Sequence, residues 1–136
     1  MLIPHYRYID PAAWPWANFS PDEPNLACPC CGEFWLDHDA MNQLQAARDI
    51  FGRPLRVNSG HRCWLHNARV GGAPKSQHKQ IAFDVSTRGY DRRQVLEALR
   101  QAGFATFGYY VTFIHADTRQ GRRWYGSERA RQLWNG

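Results

Sequence analysis

The chain has 136 residues, 43% of them apolar, with six Trp, six Tyr and seven Phe; this is the composition of one cored domain and excludes a disordered chain. Its apolar runs are only a few residues long, which excludes a membrane-spanning helix, and the start MLIPHYRYIDPAAWPW lacks the charged, apolar and small-residue regions of a secretory signal. Seventeen Lys and Arg, fifteen of them Arg, against twelve Asp and Glu give a net charge of +5, which suits nucleic acid, an anionic membrane surface or an acidic wall polymer and selects none of them.

No internal repeat or low-complexity segment interrupts the chain. The first 27 residues, rich in Pro and aromatics and without periodicity, read as an extended arm packing on a domain that spans residues 28–136. LDHDAMNQLQAARDIFGRP predicts a helix capped by Asp37 or Asp39, with Met41, Leu44, Ala47, Ile50 and Phe51 near one face and Gly52 and Pro54 as its stop. LRVNSG predicts a short strand, HRCWLHNARVGGAPKSQH a helical turn and then a loop, and IAFDVS a second strand. Asp91 with Gln94 resembles a capping box opening a helix with an apolar face of Val95, Leu96, Leu99 and Ala102, ended by Gly103. ATFGYYVTFIHADTR predicts one or two more strands, and SERARQLW a terminal helix capped by Ser127. Helices interleaved with short strands imply an α+β domain around a small, mostly antiparallel sheet.

Six histidines are present: His5, His38, His61, His66, His78 and His115. His115 stands out by its setting. In VTFIHAD, two-residue alternation sends Val111, Phe113, His115 and Asp117 to one face of a strand and Thr112, Ile114 and Ala116 to the other. Asp84 sits likewise inside the apolar strand IAFDV. Burying such groups is costly unless an Arg partner or a metal ion compensates them. His78, Asp84 and a residue of the 115–117 strand make a set of three metal ligands, and three protein ligands leave a fourth position for water, as in catalytic zinc sites. Zinc there would bring the pKa of that water to about 7 and polarise a carbonyl.

SGHRCWLHNARVGGAPKSQHKQIAFDV followed by FIHADTRQGRRWYG resembles the zinc D-Ala-D-Ala carboxypeptidases and their phage endolysin relatives, whose fold is shared with lysostaphin-type peptidases and the hedgehog signalling domain. The resemblance runs from NLACPCCGE to RRWYG. It implies His78 and Asp84 as the first two zinc ligands and His115 as the third. Arg62 then matches the arginine that holds a substrate carbonyl or its developing oxyanion beside the zinc, and Ser76 a hydrogen-bonding position on the same loop. Two departures stand out. The family pattern His-x-x-Gly-x-Ala-x-Asp is one residue shorter here, His78-Lys-Gln-Ile-Ala-Phe-Asp84, and a slip inside a strand would turn Asp84 to the wrong face; because the residues from Ile81 onward still align, the loop after His78 is expected to shorten instead. Many relatives place an acidic general base three residues before the last ligand, where this chain has Thr112. Asp117 becomes the candidate base, with the reverse assignment, Asp117 as ligand and His115 as base, still open. Trp64, Tyr109 and Tyr110 are candidate walls of a substrate cleft, Tyr110 a candidate substrate contact.

Cys28, Cys30 and Cys31 cluster in ACPCCGE, with Cys63 directly after Arg62. A disulfide to Cys63, a second metal and free buried thiols are all compatible with this spacing, and no second Cys-x-x-Cys pair follows. The resulting expectation is a monomeric zinc peptidase of peptidoglycan stem peptides or cross-links, of the phage endolysin or virion-associated lysin kind. It would be made in the cytoplasm and act on the cell wall after release or delivery, with neither nucleic acid nor membrane insertion involved. The alternative is a zinc-binding interaction module of the same fold without catalysis.

Overall fold

The computed structural model of the chain describes residues 1–22 and 25–136. Its helices begin where a short side chain meets free amides. Asp37 accepts from the Ala40 amide at 3.0 Å and opens α1 (His38–Phe51), which ends at Gly52 in the left-handed conformation, φ 76°. Cys63 caps α2 (Trp64–Arg69), Asp91 caps α3 (Arg92–Gln101) and Ser127 caps α4 (Glu128–Asn135). Along α1 the buried positions are Ala40, Met41, Leu44 and Ala47, while Ile50 faces solvent. Along α3 they are Val95, Ala98 and Leu99.

Among the described residues, seven strands accompany the helices. β1 (Leu2–Ile3) pairs with β2 (Phe34–Trp35) as a separate antiparallel ribbon. The main sheet holds β3 (Val57–Ser59), β4 (Phe83–Ser86), β5 (Thr106–Tyr109), β6 (Phe113–Asp117) and β7 (Arg123–Tyr125), in the order β3-β4-β6-β5-β7. All neighbours are antiparallel except β5 and β7. The chain reverses once into β6 and again into β7, so β7 runs with β5, which makes this α+β sheet mixed at one edge.

Phe83 and Val85 from β4, Phe107 from β5 and Ile114 and Ala116 from β6 point to one face, where they join Met41 and Leu44 of α1 and Val95 and Leu99 of α3 in a single core. Trp16 and Phe19 of the N-terminal stretch enter the same core, and Trp16 Nε1 donates to Asn42 Oδ1 at 2.8 Å. Burying each large apolar side chain stabilises the fold by about 1.5–3 kcal/mol. Because one face of β4 and β6 is committed to this core, the alternate residues Asp84, His115 and Asp117 are forced to the other.

Candidate metal centre

The β4–β6 register sets Asp84 directly opposite His115, and cross-strand partners on one face stand within side-chain reach. His78 arrives from outside the sheet, in a 3-10 turn (Gln77–Lys79) capped by Ser76, whose hydroxyl accepts from the His78 amide at 3.2 Å. His78 Nε2 lies 3.1 Å from Asp84 Oδ1 and 3.2 Å from His115 Nδ1, and His115 Nδ1 lies 3.3 Å from Asp84 Oδ1. The short His78–Asp84 spacing is absorbed before β4 begins at Phe83, so Asp84 keeps the face it shares with His115.

The far nitrogens of both rings fix their tautomers. His78 Nδ1 donates to the Gly60 carbonyl at 2.6 Å, and His115 Nε2 donates to Asp117 Oδ2 at 2.6 Å. With those protons outward and no second proton, the state that metal binding requires, the inner nitrogens turn lone pairs toward each other and toward a carboxylate oxygen. In that state three acceptors converge, an arrangement that calls for a cation: a metal ion, or a proton on the inner side of one ring. The separations match one too: tetrahedral ligands about 2.0–2.1 Å from zinc stand about 3.3 Å apart. His78, Asp84 and His115 therefore fit a zinc ion in kind and in size.

The electrostatics carry the same sign. Burial would push the Asp84 carboxyl up, but hydrogen bonds to His115 and His78 outweigh it and hold it at about 2. Burial would push His115 down, yet its bonds to Asp117 and Asp84 raise it above its ordinary value. Asp117 lies well below the usual carboxylate range, burial being overcome by His115 and then Arg119.

Asp117 shares a strand face with His115, but its carboxylate is fully enclosed behind that ring. Arg119 grips it with Nε at 3.0 Å, a terminal nitrogen at 2.7 Å and its backbone amide at 2.9 Å. It does not line the cleft in front of the triad. That cleft, about 910 Å³, is bordered by Arg62, Ser76, Tyr110, Arg122 and Trp124 as well as by the three ligand candidates. Asp84 is its one acidic residue among those described.

Arg62 follows His61, a buried ring held between Glu33 Oε1 at 2.8 Å and the Gln80 carbonyl at 2.5 Å. The Arg62 amide donates to the His78 carbonyl at 2.7 Å, and its guanidinium reaches Ser76 Oγ at 3.3 Å, while its Nε–H is buried without an acceptor. Burial lowers its pKa, with Asp84 and Tyr110 opposing; an arginine remains a cation through such shifts. Tyr110 stacks on Phe113 at 4.3 Å and accepts from Trp124 Nε1 at 3.0 Å. Trp64 is exposed on α2 and Tyr109 packs against Tyr125 and Trp134, so neither borders this cleft.

Two contributors escape a reading of the sequence. Trp124 leans on the His115 ring at 4.9 Å because Gly108, its register partner on β5, leaves the space; a Cβ there would sit 2.5 Å from the indole. Nothing in the spacing of RRWYG signals this. Arg119 was legible in principle, since HADTR places a guanidinium two residues after a buried carboxylate.

A comparison with curated proteins returns no match. A family model described as Peptidase M15 matches residues 17–117, a stretch that takes in Arg62, His78, Asp84, His115 and Asp117. The chain belongs to the peptidase M15 family, whose members are zinc-dependent metallopeptidases.

Proposed function

We propose that the protein is a zinc peptidase that hydrolyses peptide bonds in peptidoglycan stem peptides or their cross-links, as a phage endolysin or virion-associated lysin does. The observation that carries this reading is the triangle of lone-pair atoms from His78, Asp84 and His115, 3.1–3.3 Å on a side, at the floor of an open cleft. Zinc held by these residues would supply Lewis acidity, bringing the pKa of water to about 7 and polarising a carbonyl. The chain's own residues do the rest. Gly60 and Asp117 fix the two imidazoles through their outer nitrogens, as partners of metal-bound histidines do. Arg62, with donors left over beyond Ser76, holds the substrate carbonyl as charge develops on its oxygen. Ser76 keeps both Arg62 and the His78 turn in place, and Tyr110 with Trp124 walls the cleft.

Asp117 acts here as a positioning residue. Its oxygens are spent on His115 and Arg119, and it is closed off from the substrate side. The rim of the cleft is basic, with Arg62, Lys75 and Arg122 against the single carboxylate of Asp84, which suits stem peptides carrying free carboxylates. We assign the peptidase unit to residues 28–136, with residues 1–27 as an arm laid on it, and the working form to a monomer acting at the wall.

A zinc-binding module without catalysis is the second reading, favoured by the lack of any carboxylate besides Asp84 to serve as base in the cleft among the described residues. Amine release from purified peptidoglycan separates the two. The peptidase releases amines with wild-type protein and loses at least tenfold with Arg62→Ala at unchanged zinc content. One zinc in the triad with no release from any wall sinks the peptidase reading.

A further inference from the structure

A second group of ligand atoms lies outside the cleft. Cys28, Cys30 and Cys31 sit on a tight turn in which the Gly32 amide donates to the Cys28 carbonyl at 2.8 Å, with Gly32 at φ 79°. Cys63 faces them from the start of α2. All four sulfurs lie within 4.8 Å of one another, and Cys30 Sγ is 3.4 Å from both Cys28 Sγ and Cys63 Sγ.

Three physical points decide between a disulfide and a metal. A disulfide needs two sulfurs about 2.05 Å apart, whereas Cys30 stands equally far from two partners, as donors around a shared centre do. Four thiolates about 2.3 Å from a tetrahedral zinc are about 3.8 Å apart, within the range that the cluster spans. A backbone amide also aims at sulfur: that of His66 donates to Cys63 Sγ at 3.3 Å. N–H donors directed at sulfur are the outer-shell partners that orient a thiolate ligand.

We infer that Cys28, Cys30, Cys31 and Cys63 hold a second zinc ion in a closed four-thiolate site that clamps the 25–33 segment against the loop carrying Arg62. The site is structural: four protein ligands leave no position for substrate or water. Binding displaces the thiol protons to solvent and involves no redox change. Its place in the chain gives the task. Cys63 is bonded to Arg62, the Gly60 and His61 amides donate to the Asn25 and Leu26 carbonyls, and Glu33 pairs with His61. One ion would therefore tie both strands of this contact beside the guanidinium that faces the cleft. The exposed edges of Cys30 and Cys31 give metal a way in.

The test is zinc content per chain together with the absorption of protein loaded with Co2+ instead. Wild type is expected to hold two zinc ions, with one in His78→Ala and one in Cys31→Ser. Sulfur-to-cobalt charge-transfer absorption should appear in wild type and His78→Ala and be missing in Cys31→Ser. Because the band reports sulfur ligation alone, it is independent of the cleft reading, which stands or falls on the ion lost in His78→Ala. The wild-type spectrum keeps the test decisive even if a variant misfolds. No charge-transfer band in wild type, or a native mass lower by two hydrogens that reveals a disulfide, overturns the inference.

Discussion

At the scale of single residues, the metal-free triad is held together by charge sharing, and this makes zinc and protons competitors. Asp84 is depressed to about 2, so the stability its ionisation contributes is present above about pH 4 and is lost as pH falls toward that value. His115 is raised, so what its protonation contributes is complete below about pH 6.5 and is lost as pH rises through its folded pKa. Zinc needs His115 without the inward proton. The rise in Tm caused by zinc should therefore be small at pH 5 and larger at pH 8; thermal scans of chelated and reloaded protein check this, and equal shifts at both pH values would contradict it. Asp117 makes a second prediction. As a positioning residue it should lower zinc affinity by about 10–100-fold when changed to Asn, with much of the activity recovered at saturating zinc. Full metal retention with abolished activity would instead make it the base. His78, Asp84, His115 and Arg62 were legible in the sequence because their spacing carries a family pattern. The enclosure of Asp117 behind the His115 ring was not, because alternation along a strand gives the face a residue shares and says nothing of what stands in front of it.

At the scale of elements, register does most of the work of assembling the site. Asp84 meets His115 because Phe83 and Val85 are committed to the core, and this explains why a shortened loop after His78 leaves the ligand in place. Inserting Gly between Gln80 and Ile81 should lengthen only that loop: zinc stoichiometry stays unchanged and stability to urea shifts by less than about 1 kcal/mol. Loss of the cleft zinc would mean that the insertion had entered the strand. Gly108→Val tests the opposite edge. Its side chain would meet the Trp124 indole, and overpacking of this kind costs about 1–3 kcal/mol, with a change in Trp fluorescence as the indole leaves His115. The longer helices were readable from caps and periodicity. β1, β2 and β7 span two or three residues each, too few to show any alternation, and only pairing with distant partners defines them.

At the scale of the whole molecule, the N-terminal stretch is tied to the rest through Trp16 and Phe19 in the core and through the β1–β2 ribbon. Trp16→Ala should cost about 3–5 kcal/mol in urea denaturation; a loss below about 1 kcal/mol would show that the stretch contributes little to stability. Composition indicated a globular basic chain and no more, since charge alone does not say which side chains share a cleft. The fold adds that Arg62, Lys75 and Arg122 line one cleft in which Asp84 is the one carboxylate among the described residues.

The most direct measurement is amine release from purified peptidoglycan by wild-type protein and His78→Ala, before chelation, after it and after zinc is returned. Wild type is expected to show activity that chelation removes and zinc restores, and His78→Ala none under any condition. Hydrolysis that persists after complete removal of zinc, or equal hydrolysis by His78→Ala, would contradict the zinc peptidase reading.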